Sequence, residues 1–465
     1  MTLTLADLRT KSVHFVGMGG AGMSGIARIM LSQGVRVAGS DAKQSSVLTS
    51  LEALGAQIYV GHAAANLGDA NLLVVSSAID EKNPELVAAK NQGITILGRA
   101  EALALLMSES ISVAVAGTHG KTTTTSMLTV ALQSAGMDPS FAIGGMINSA
   151  GTNAHLGTGK SFIAEADESD GSFLAYKPFG AIITNLEWDH VDHFPDYASV
   201  LAVFHEFVQS IAAGGFLVAC TDSPGVRELL AGITRSDLKI ISYGQEGEYS
   251  FSHLTLGANQ SSARISHNGR TLGELTLGIP GEHNVMNAMA ALAAGLELGG
   301  ELAPLLSGLA TFTGARRRFE IKGTAHGIRV IDDYGHHPTE VAVTLATARR
   351  FAGSGKVIAI FQPHRYSRTK AFTKEFAEAL SVADRIFLLE IYPASEAPIP
   401  GVSALNIASL MNPAQSTFEP SMIQIVENIL EIAQPGDVVL TLGAGDVNSL
   451  APVILTSLVE KYSDS

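Results

Sequence analysis

The feature that most restricts this chain is its rhythm: short apolar runs alternate with helical stretches, joined by brief loops. In the first hundred residues strands are expected at 13–16, 35–39, 57–60, 72–75 and 94–97, and helices at 23–33, 46–54, 84–92 and 99–107. Parallel neighbours need a crossover between them, so the alternation points to a largely parallel sheet with helices on its faces. The rhythm restarts after a polar break at 108–110. Strands are then expected at 113–116, 162–166, 181–184 and 216–220, with helices after Lys121 and over 198–212 and 284–298. It restarts again after Arg316-Arg317-Arg318, with strands at 328–331, 357–361, 386–391 and 438–442 and helices over 338–351, 372–380, 422–433 and 447–460. Between about 239 and 277 the texture becomes short Ser/Thr-rich segments, and Asn268-Gly269 is a hairpin signal. A small antiparallel sheet inside the middle domain is expected there. The expected division is 1–108, 109–314 and 315–465.

Composition closes off several functions. Hydrophobic residues make up 46% and charged residues 16%, too apolar for a disordered chain. Thirty basic against 44 acidic residues give a net charge of −14, with no basic tract, so no nucleic-acid partner is expected. Cys220 is the one cysteine, which excludes a disulfide framework and a cysteine metal cluster; it is read as buried core. No apolar run is long enough for a membrane span, and the start MTLTLADLRTK lacks the pattern of a signal peptide. A cytoplasmic setting without membrane insertion is the expectation.

The sharpest motif is Gly117-Thr118-His119-Gly120-Lys121-Thr122-Thr123, between an apolar strand and a helix. Glycines let main chain wrap phosphates, and a helix start offers free N–H donors. Lys121 would reach the terminal phosphates and the Thr122 hydroxyl a Mg²⁺ ion. The usual first glycine is Val115 here, so this is a variant phosphate loop. Gly17-Met18-Gly19-Gly20-Ala21-Gly22 fits G-x-G-x-x-G after the first strand, and Asp41 closes the second, a pattern suited to a nucleotide diphosphate.

Acidic residues crowd a strand end in Glu165-Ala166-Asp167-Glu168-Ser169-Asp170, and Asp189-His190 ends the next. Clustered carboxylates need cations or solvent, and Glu165 and His190 are candidate Mg²⁺ ligands, the imidazole an unusual one. An arginine of 316–318 could reach a γ-phosphate across a cleft. Asp332-Asp333-Tyr334-Gly335-His336-His337-Pro338 suits substrate hydrogen bonding better than zinc, because adjacent histidines rarely face one ion. His364, Arg365 and Arg368 follow a strand and suit a carboxylate.

Assembled, these residues resemble the Mur ligase family over essentially the whole chain. The similarity is carried by FVGMGGAGMSGIA from Phe15, GTHGKTTTTSM from Gly117, EADESDGSF from Glu165, TNLEWDH from Thr184, GEHNVMNAMAA from Gly281, DDYGHHPTE from Asp332, FQPHRYSRT from Phe361 and YPASEAPIPG from Tyr392. Of these, the long DDYGHHPTE and YPASEAPIPG strings resemble the alanine-adding branch.

The resemblance implies an α/β protein of three domains: an N-terminal Rossmann-like domain, a central P-loop ATPase-type domain with the small antiparallel sheet, and a C-terminal Rossmann-like domain. It implies an ATP-dependent ligase of peptidoglycan synthesis, joining L-alanine to the lactyl carboxylate of UDP-N-acetylmuramate through an acyl phosphate, with Mg²⁺. Carried over, Gly117–Thr123, Asn284, Arg317, Arg318 and Asp333 would hold ATP, and Thr122, Glu165 and His190 the metal. Lys121, Glu165, His190 and Arg318 would be catalytic. Gly17, Gly19, Gly20, Gly22, Met23, Ser24, Asp41 and Ser77 would bind the UDP-sugar, which makes the glycine fingerprint no NAD site. Tyr334, His336, His364, Arg365 and Arg368 would meet the amino acid and lactyl carboxylate.

Later-acting branches carry a carbamoylated lysine after the metal-binding histidine. No lysine lies between His190 and Lys239 here, and Phe204 falls near that position. His193-Phe194-Pro195-Asp196 instead resembles a recycling branch that attaches an intact tripeptide. The base that deprotonates the amine is left open. A nicotinamide oxidoreductase leaves the phosphate loop unexplained. A non-catalytic nucleotide-binding protein would not need Glu165, His190 and the third-domain histidines together.

Overall fold

In the computed structural model, which describes residues 4–76, 78–148 and 151–463, each stretch of alternation builds its own sheet. The first is five-stranded and parallel, in the order Gln57–Val60, Arg36–Asp41, Ser12–Val16, Leu72–Val75, Thr95–Gly98. Its central strand is buried along its length, as parallel strands covered on both faces are. Helix Ala21–Ser32 packs beyond its own sheet. Gly25 lies so close to the strand Thr152–His155 that an added Cβ would stand 3.1 Å from that of Ala154.

The second sheet has ten strands. Its parallel centre runs Lys239–Tyr243, Phe216–Cys220, Gly180–Ile183, Ile111–Ala116, Ser161–Glu165, Ser140–Ile147, and Thr152–His155 adds an antiparallel edge. The expected antiparallel strands are present at Tyr249–Leu256, Ser261–His267 and Arg270–Leu277, but they are not a separate sheet. Tyr243 pairs with Tyr249 and joins them to the parallel edge. The reason is burial: Tyr249, Ala263, Ile265, Leu275 and Leu277 share one core with helix Glu282–Glu297. Helix Leu302–Thr311, absent from the sequence reading, closes that core with Leu305 and Leu309.

Helix Lys121–Ser134 contains four successive threonines, poor helix formers, all buried. Thr125, Ser126 and Thr129 satisfy their hydroxyls on carbonyls four residues back, at 2.7, 2.7 and 2.8 Å, so these three buried hydroxyls are not left unpaired.

The third sheet is ordered Glu320–Ala325, Ile328–Asp333, Val438–Leu442, Val357–Phe361, Arg385–Leu388, Ser416–Phe418, with only its first pair antiparallel. The helix expected from 447 starts as a 3-10 turn, Asp446–Ser449, and continues as Leu450–Ser463. Among the described residues no helix is long and apolar enough to cross a membrane, and Cys220 is a buried free thiol.

Candidate active site

The phosphate loop leaves the strand Ile111–Ala116 and enters helix Lys121–Ser134. Two of its glycines are obligatory. Gly117 sits at φ +129°, where a Cβ would lie 2.1 Å from Thr184 Oγ1, and Gly120 at φ +81°, where a Cβ would lie 2.8 Å from Asn287 Oδ1. The Lys121 ammonium folds back over the loop, donating to the carbonyls of Gly117 at 2.7 Å and Thr118 at 3.1 Å and to Glu168 Oε1 at 3.0 Å. Burial would lower its pKa, but Glu168, Asp167 and Glu165 raise it instead.

Thr122 Oγ1 donates to Glu165 Oε1 at 2.8 Å, and Gly144 N–H donates to Glu165 Oε2 at 2.7 Å. A Cβ on Gly144 would crowd both carboxylate oxygens at 3.1 Å, so that glycine makes room for Glu165. Two hard oxygen donors converging beside a phosphate loop fit Mg²⁺. His190, in left-handed backbone at φ +50°, faces Glu168 Oε1 at 3.6 Å rather than Glu165.

Glu168 is therefore a site residue that sequence reasoning passed over. It is 1% exposed and stands between Lys121 and His190. Its signal was present, as one of four acids in six residues, but nothing in the string ranked it above Glu165.

These groups open into a cavity of about 870 Å³ whose far wall is the third sheet's strand ends, including Arg318, Tyr334, His336, His364 and Arg368. Tyr334 lies between two guanidiniums, Arg317 at 4.9 Å and Arg318 at 5.2 Å from its ring centre. The two arginines differ in use. Arg317 is spent inside its own unit, on Asp332 at 3.3 Å and on the Gly443 carbonyl at 2.6 Å; Arg318 faces Glu340 at 3.6 Å. His336 and His364 are neutral. Burial, then Arg368, pushes His336 well below its usual range and His364 down to about 4.

Arg368 is only 2% exposed. Its Nε and Nη2 both reach Asp189 Oδ1 at 2.8 Å, across the seam between the second and third units. Burial alone would raise the Asp189 pKa, but Arg368 holds it far below the carboxylate range. Arg365 also crosses the seam, pairing through Nη1 with Asp192 at a half-exposed position. Both arginines expected for a substrate carboxylate thus have protein partners here, leaving Arg368 Nη1, 3.3 Å from His364 Nδ1, toward the cavity.

A second cavity of about 420 Å³ adjoins the loop and is lined by His119, His283, Asn284, Phe312, Arg318 and Asp333 among others. Asn284 donates to the Pro280 carbonyl at 2.7 Å. The Asp333 carboxylate accepts from Phe319 N–H at 2.7 Å and Gly335 N–H at 2.8 Å, so it shapes this wall by tying two loops.

Where the units meet over the loop, Thr339 Oγ1 donates to Glu187 Oε2 at 2.7 Å, and His119 lies 3.3 Å from both Glu187 and Glu340. His119, Glu187 and His337 are close enough to share an ion. Yet burial of His119 is outweighed by its two carboxylates, which raise it to about 9, so it is itself the cation there. His337 Nδ1 is occupied in capping, accepting from Thr339 N–H at 3.3 Å.

In the first unit, Gly17 turns at φ +81° and Gly19 N–H donates to Asp41 Oδ2 at 2.8 Å. Asp41 therefore clamps the glycine turn. Met23 and Ser24 are buried, 2% and 6% exposed, so they offer main chain and not side chains, while Gly20 and Gly22 flank the helix start. Ser77 lies outside the described residues. Arg99, unmarked in the sequence reading, packs beside Gly22 and faces Asp167 at 3.9 Å.

Three α/β units around a phosphate loop, facing a cleft of carboxylates, arginines and neutral histidines, define a multidomain P-loop protein that handles phosphates and other anions. Three family descriptions match in succession: "Mur ligase family, catalytic domain" over 12–110, "Mur ligase middle domain" over 115–295 and "Mur ligase, glutamate ligase domain" over 317–445. The chain belongs to the Mur ligase family, with its three-domain α/β architecture. It is 49% identical over 458 residues to a UDP-N-acetylmuramate–L-alanine ligase of Renibacterium salmoninarum, covering 98% of each chain. It is 50% identical over 461 residues to the protein of the same name from Saccharopolyspora erythraea, covering 97% of this chain and 94% of that one. Among solved structures it resembles UDP-N-acetylmuramate–alanine ligase from Thermotoga maritima, with a TM-score of 0.80, 30% identity and coverage of 98% and 99%. A murein peptide ligase from Psychrobacter arcticus gives 0.71, 26%, and 97% and 99%.

Proposed function

We propose that this chain is an ATP-dependent ligase that joins L-alanine to the lactyl carboxylate of UDP-N-acetylmuramate in peptidoglycan synthesis. The observation that carries the reading is the shared cavity. Lys121, Thr122 and Glu165 stand on one side and the His336, His364 and Arg368 cluster on the other. Full-length relatives at about half identity bear the name of this activity.

The chemistry follows from the groups present. A carboxylate resists amines at neutral pH. One of its oxygens attacks the γ-phosphorus of ATP, ADP leaves, and an acyl phosphate results. The alanine ammonium gives one proton to a base or water, its nitrogen attacks the acyl carbon, phosphate departs with the C–O electron pair, and the nitrogen's remaining extra proton passes to solvent. Lys121 leaves its loop carbonyls to meet the moving phosphoryl charge, and Arg318 approaches from the third unit; such fixed charge is the main lever in phosphoryl transfer.

Thr122 and Glu165, with His190 nearby, would hold Mg²⁺, which when bound neutralises phosphate charge. Asn284 and Asp333 would line the nucleoside end of ATP. His364, Arg365 and Arg368 would meet the amino acid. The glycine turn at Gly17–Gly22 would receive the UDP. The units divide at about 108 and 314 in this reading, a division that the three sheets support. The enzyme works in the cytoplasm, where its nucleotide substrates are.

Phosphate release with UDP-N-acetylmuramate, ATP and Mg²⁺ tests the reading. Release should require L-alanine and yield UDP-N-acetylmuramoyl-L-alanine. A free tripeptide used in preference to alanine would assign the chain to the recycling chemistry of the murein peptide ligases, which His193-Phe194-Pro195-Asp196 alone favours. No release with either would refute both.

A further inference from the structure

Glu340 is a buried carboxylate that no motif reading assigned, and it stands in the wall common to both cavities. Its two oxygens face opposite ways. Oε1 lies 3.3 Å from His119 Nδ1 on the phosphate loop and 3.6 Å from Arg318, both at the nucleotide side. Oε2 accepts from His336 N–H at 3.0 Å and His337 N–H at 3.4 Å, and lies 3.4 Å from His336 Nδ1, at the amino-acid side.

A bland role accounts for only half of this. Glu340 is the N3 residue of helix Pro338–Ala352 and completes a capping box with His337. Such a cap needs an oxygen acceptor, which glutamine supplies equally well. It needs no charge, and it does not call for a cationic histidine and an arginine on the other oxygen.

We infer that Glu340 is a positioning residue that couples the nucleotide cavity to the amino-acid cavity, one oxygen holding His119 and Arg318 and the other the His336 loop. The inference rests on the proposed function for the identity of the two ligands. A ligand that draws Arg318 or His119 inward pulls on the same carboxylate that orients His336, so occupancy of one cavity prepares the other. Coupling of this kind is reciprocal, each ligand changing the other's affinity by the same factor.

Glu340→Gln separates the roles. The amide oxygen keeps the cap, while the NH₂ group and the lost charge set donor against donor at His119 and Arg318. Calorimetric titration with a non-hydrolysable ATP analogue, with and without saturating L-alanine, reads the coupling directly. In the wild type alanine should tighten the analogue by about 5-fold or more, and in E340Q by less than about 2-fold. The melting midpoint should fall in E340Q, because His119 and Arg318 lose a shared buried counter-charge, so the titrations are run well below that midpoint on folded protein. Coupling that persists in E340Q, or is absent from the wild type, overturns the inference. If E340Q does not fold, E340D is titrated instead. Its shorter carboxylate keeps the charge but cannot span both sides, and the same loss of coupling is expected. Wild-type turnover with alanine is measured alongside. A wild type without turnover refutes the function and this inference with it, whereas an active wild type without coupling refutes this inference alone.

Discussion

Replacing Lys121 by alanine should damage the protein twice over, and the two injuries can be separated. Its side chain is 13% exposed and Glu168's 2%, so the ion pair is largely out of water. Removing one partner of a buried pair costs about 3–5 kcal/mol, because the other charge stays buried alone. His190 Nε2, 3.6 Å from Glu168, can take over part of the compensation, which favours the lower half of that range. At about 2–4 °C per kcal/mol for a domain of 150–250 residues, the melting midpoint should fall by roughly 6–16 °C. Phosphoryl transfer should fall independently by about 10²–10³, the value of one charge clamp in a closed site. The double variant K121A/E168Q no longer buries a lone carboxylate, so it should recover most of the lost midpoint and none of the lost turnover. Thermal unfolding and ATP-dependent phosphate release on the same preparations give both readings. Wild-type melting and turnover in K121A would refute the assignment, as would turnover restored in the double variant.

Three further outcomes are expected. Glu165→Ala should need much more Mg²⁺ for half-maximal activity, read from a metal titration, because one hard oxygen donor is gone; an unchanged titration curve would exclude Glu165 as a ligand. Arg368→Lys should raise the KM for alanine about 10–150-fold, the worth of a charge-assisted hydrogen bond, and that for ATP far less. A fall in kcat with alanine KM unchanged would confine Arg368 to holding Asp189. His119 has its pKa raised to about 9 by Glu187 and Glu340 against its burial. Its contribution is thus complete below the ordinary histidine value of about 6.5 and lost as pH rises through 9. Melting midpoints should fall across that window in the wild type and be flatter in H119N; parallel profiles would refute the charged assignment.

Much of this could be read from the sequence, and what could not has a common cause. The strand–helix rhythm and the loop glycines are local signals, so the three sheets and the phosphate turn were legible. Thr122 and Glu165 could be paired because one stands in the first turn of the loop's helix and the other at the end of a neighbouring strand. Glu168, Glu187, Asp189 and Glu340 could not be ranked, since their partners lie far along the chain: Lys121 is 47 residues from Glu168, Thr339 is 152 from Glu187, and Arg368 is 179 from Asp189. Arg317 and Arg318 are equivalent in a string. Only the backbone turn, with Arg317 at φ +58°, sends one inward and leaves the other facing the cleft. The antiparallel strands were legible as strands, but their attachment through Tyr243 and Tyr249 depends on a buried face that local texture does not reveal.

The seam between the second and third units is fastened by Arg368 on Asp189, Arg365 on Asp192 and His119 on Glu187 and Glu340, and this makes docking a matter of registration. A greasy seam can slide by an ångström or two with little penalty, because dispersion contacts re-form wherever surfaces meet. A seam pinned by a desolvated pair cannot, since a shifted pose strands Arg368 or Asp189, whose side chains are each 3% exposed, without its counter-ion, at several kcal/mol for each. The ionic fastenings therefore work as the wards of a lock, admitting one alignment of the third unit over the phosphate loop. An isosteric apolar pair in place of Arg368 and Asp189 would let the units hold together just as firmly while losing the single alignment that sets the two cavities side by side.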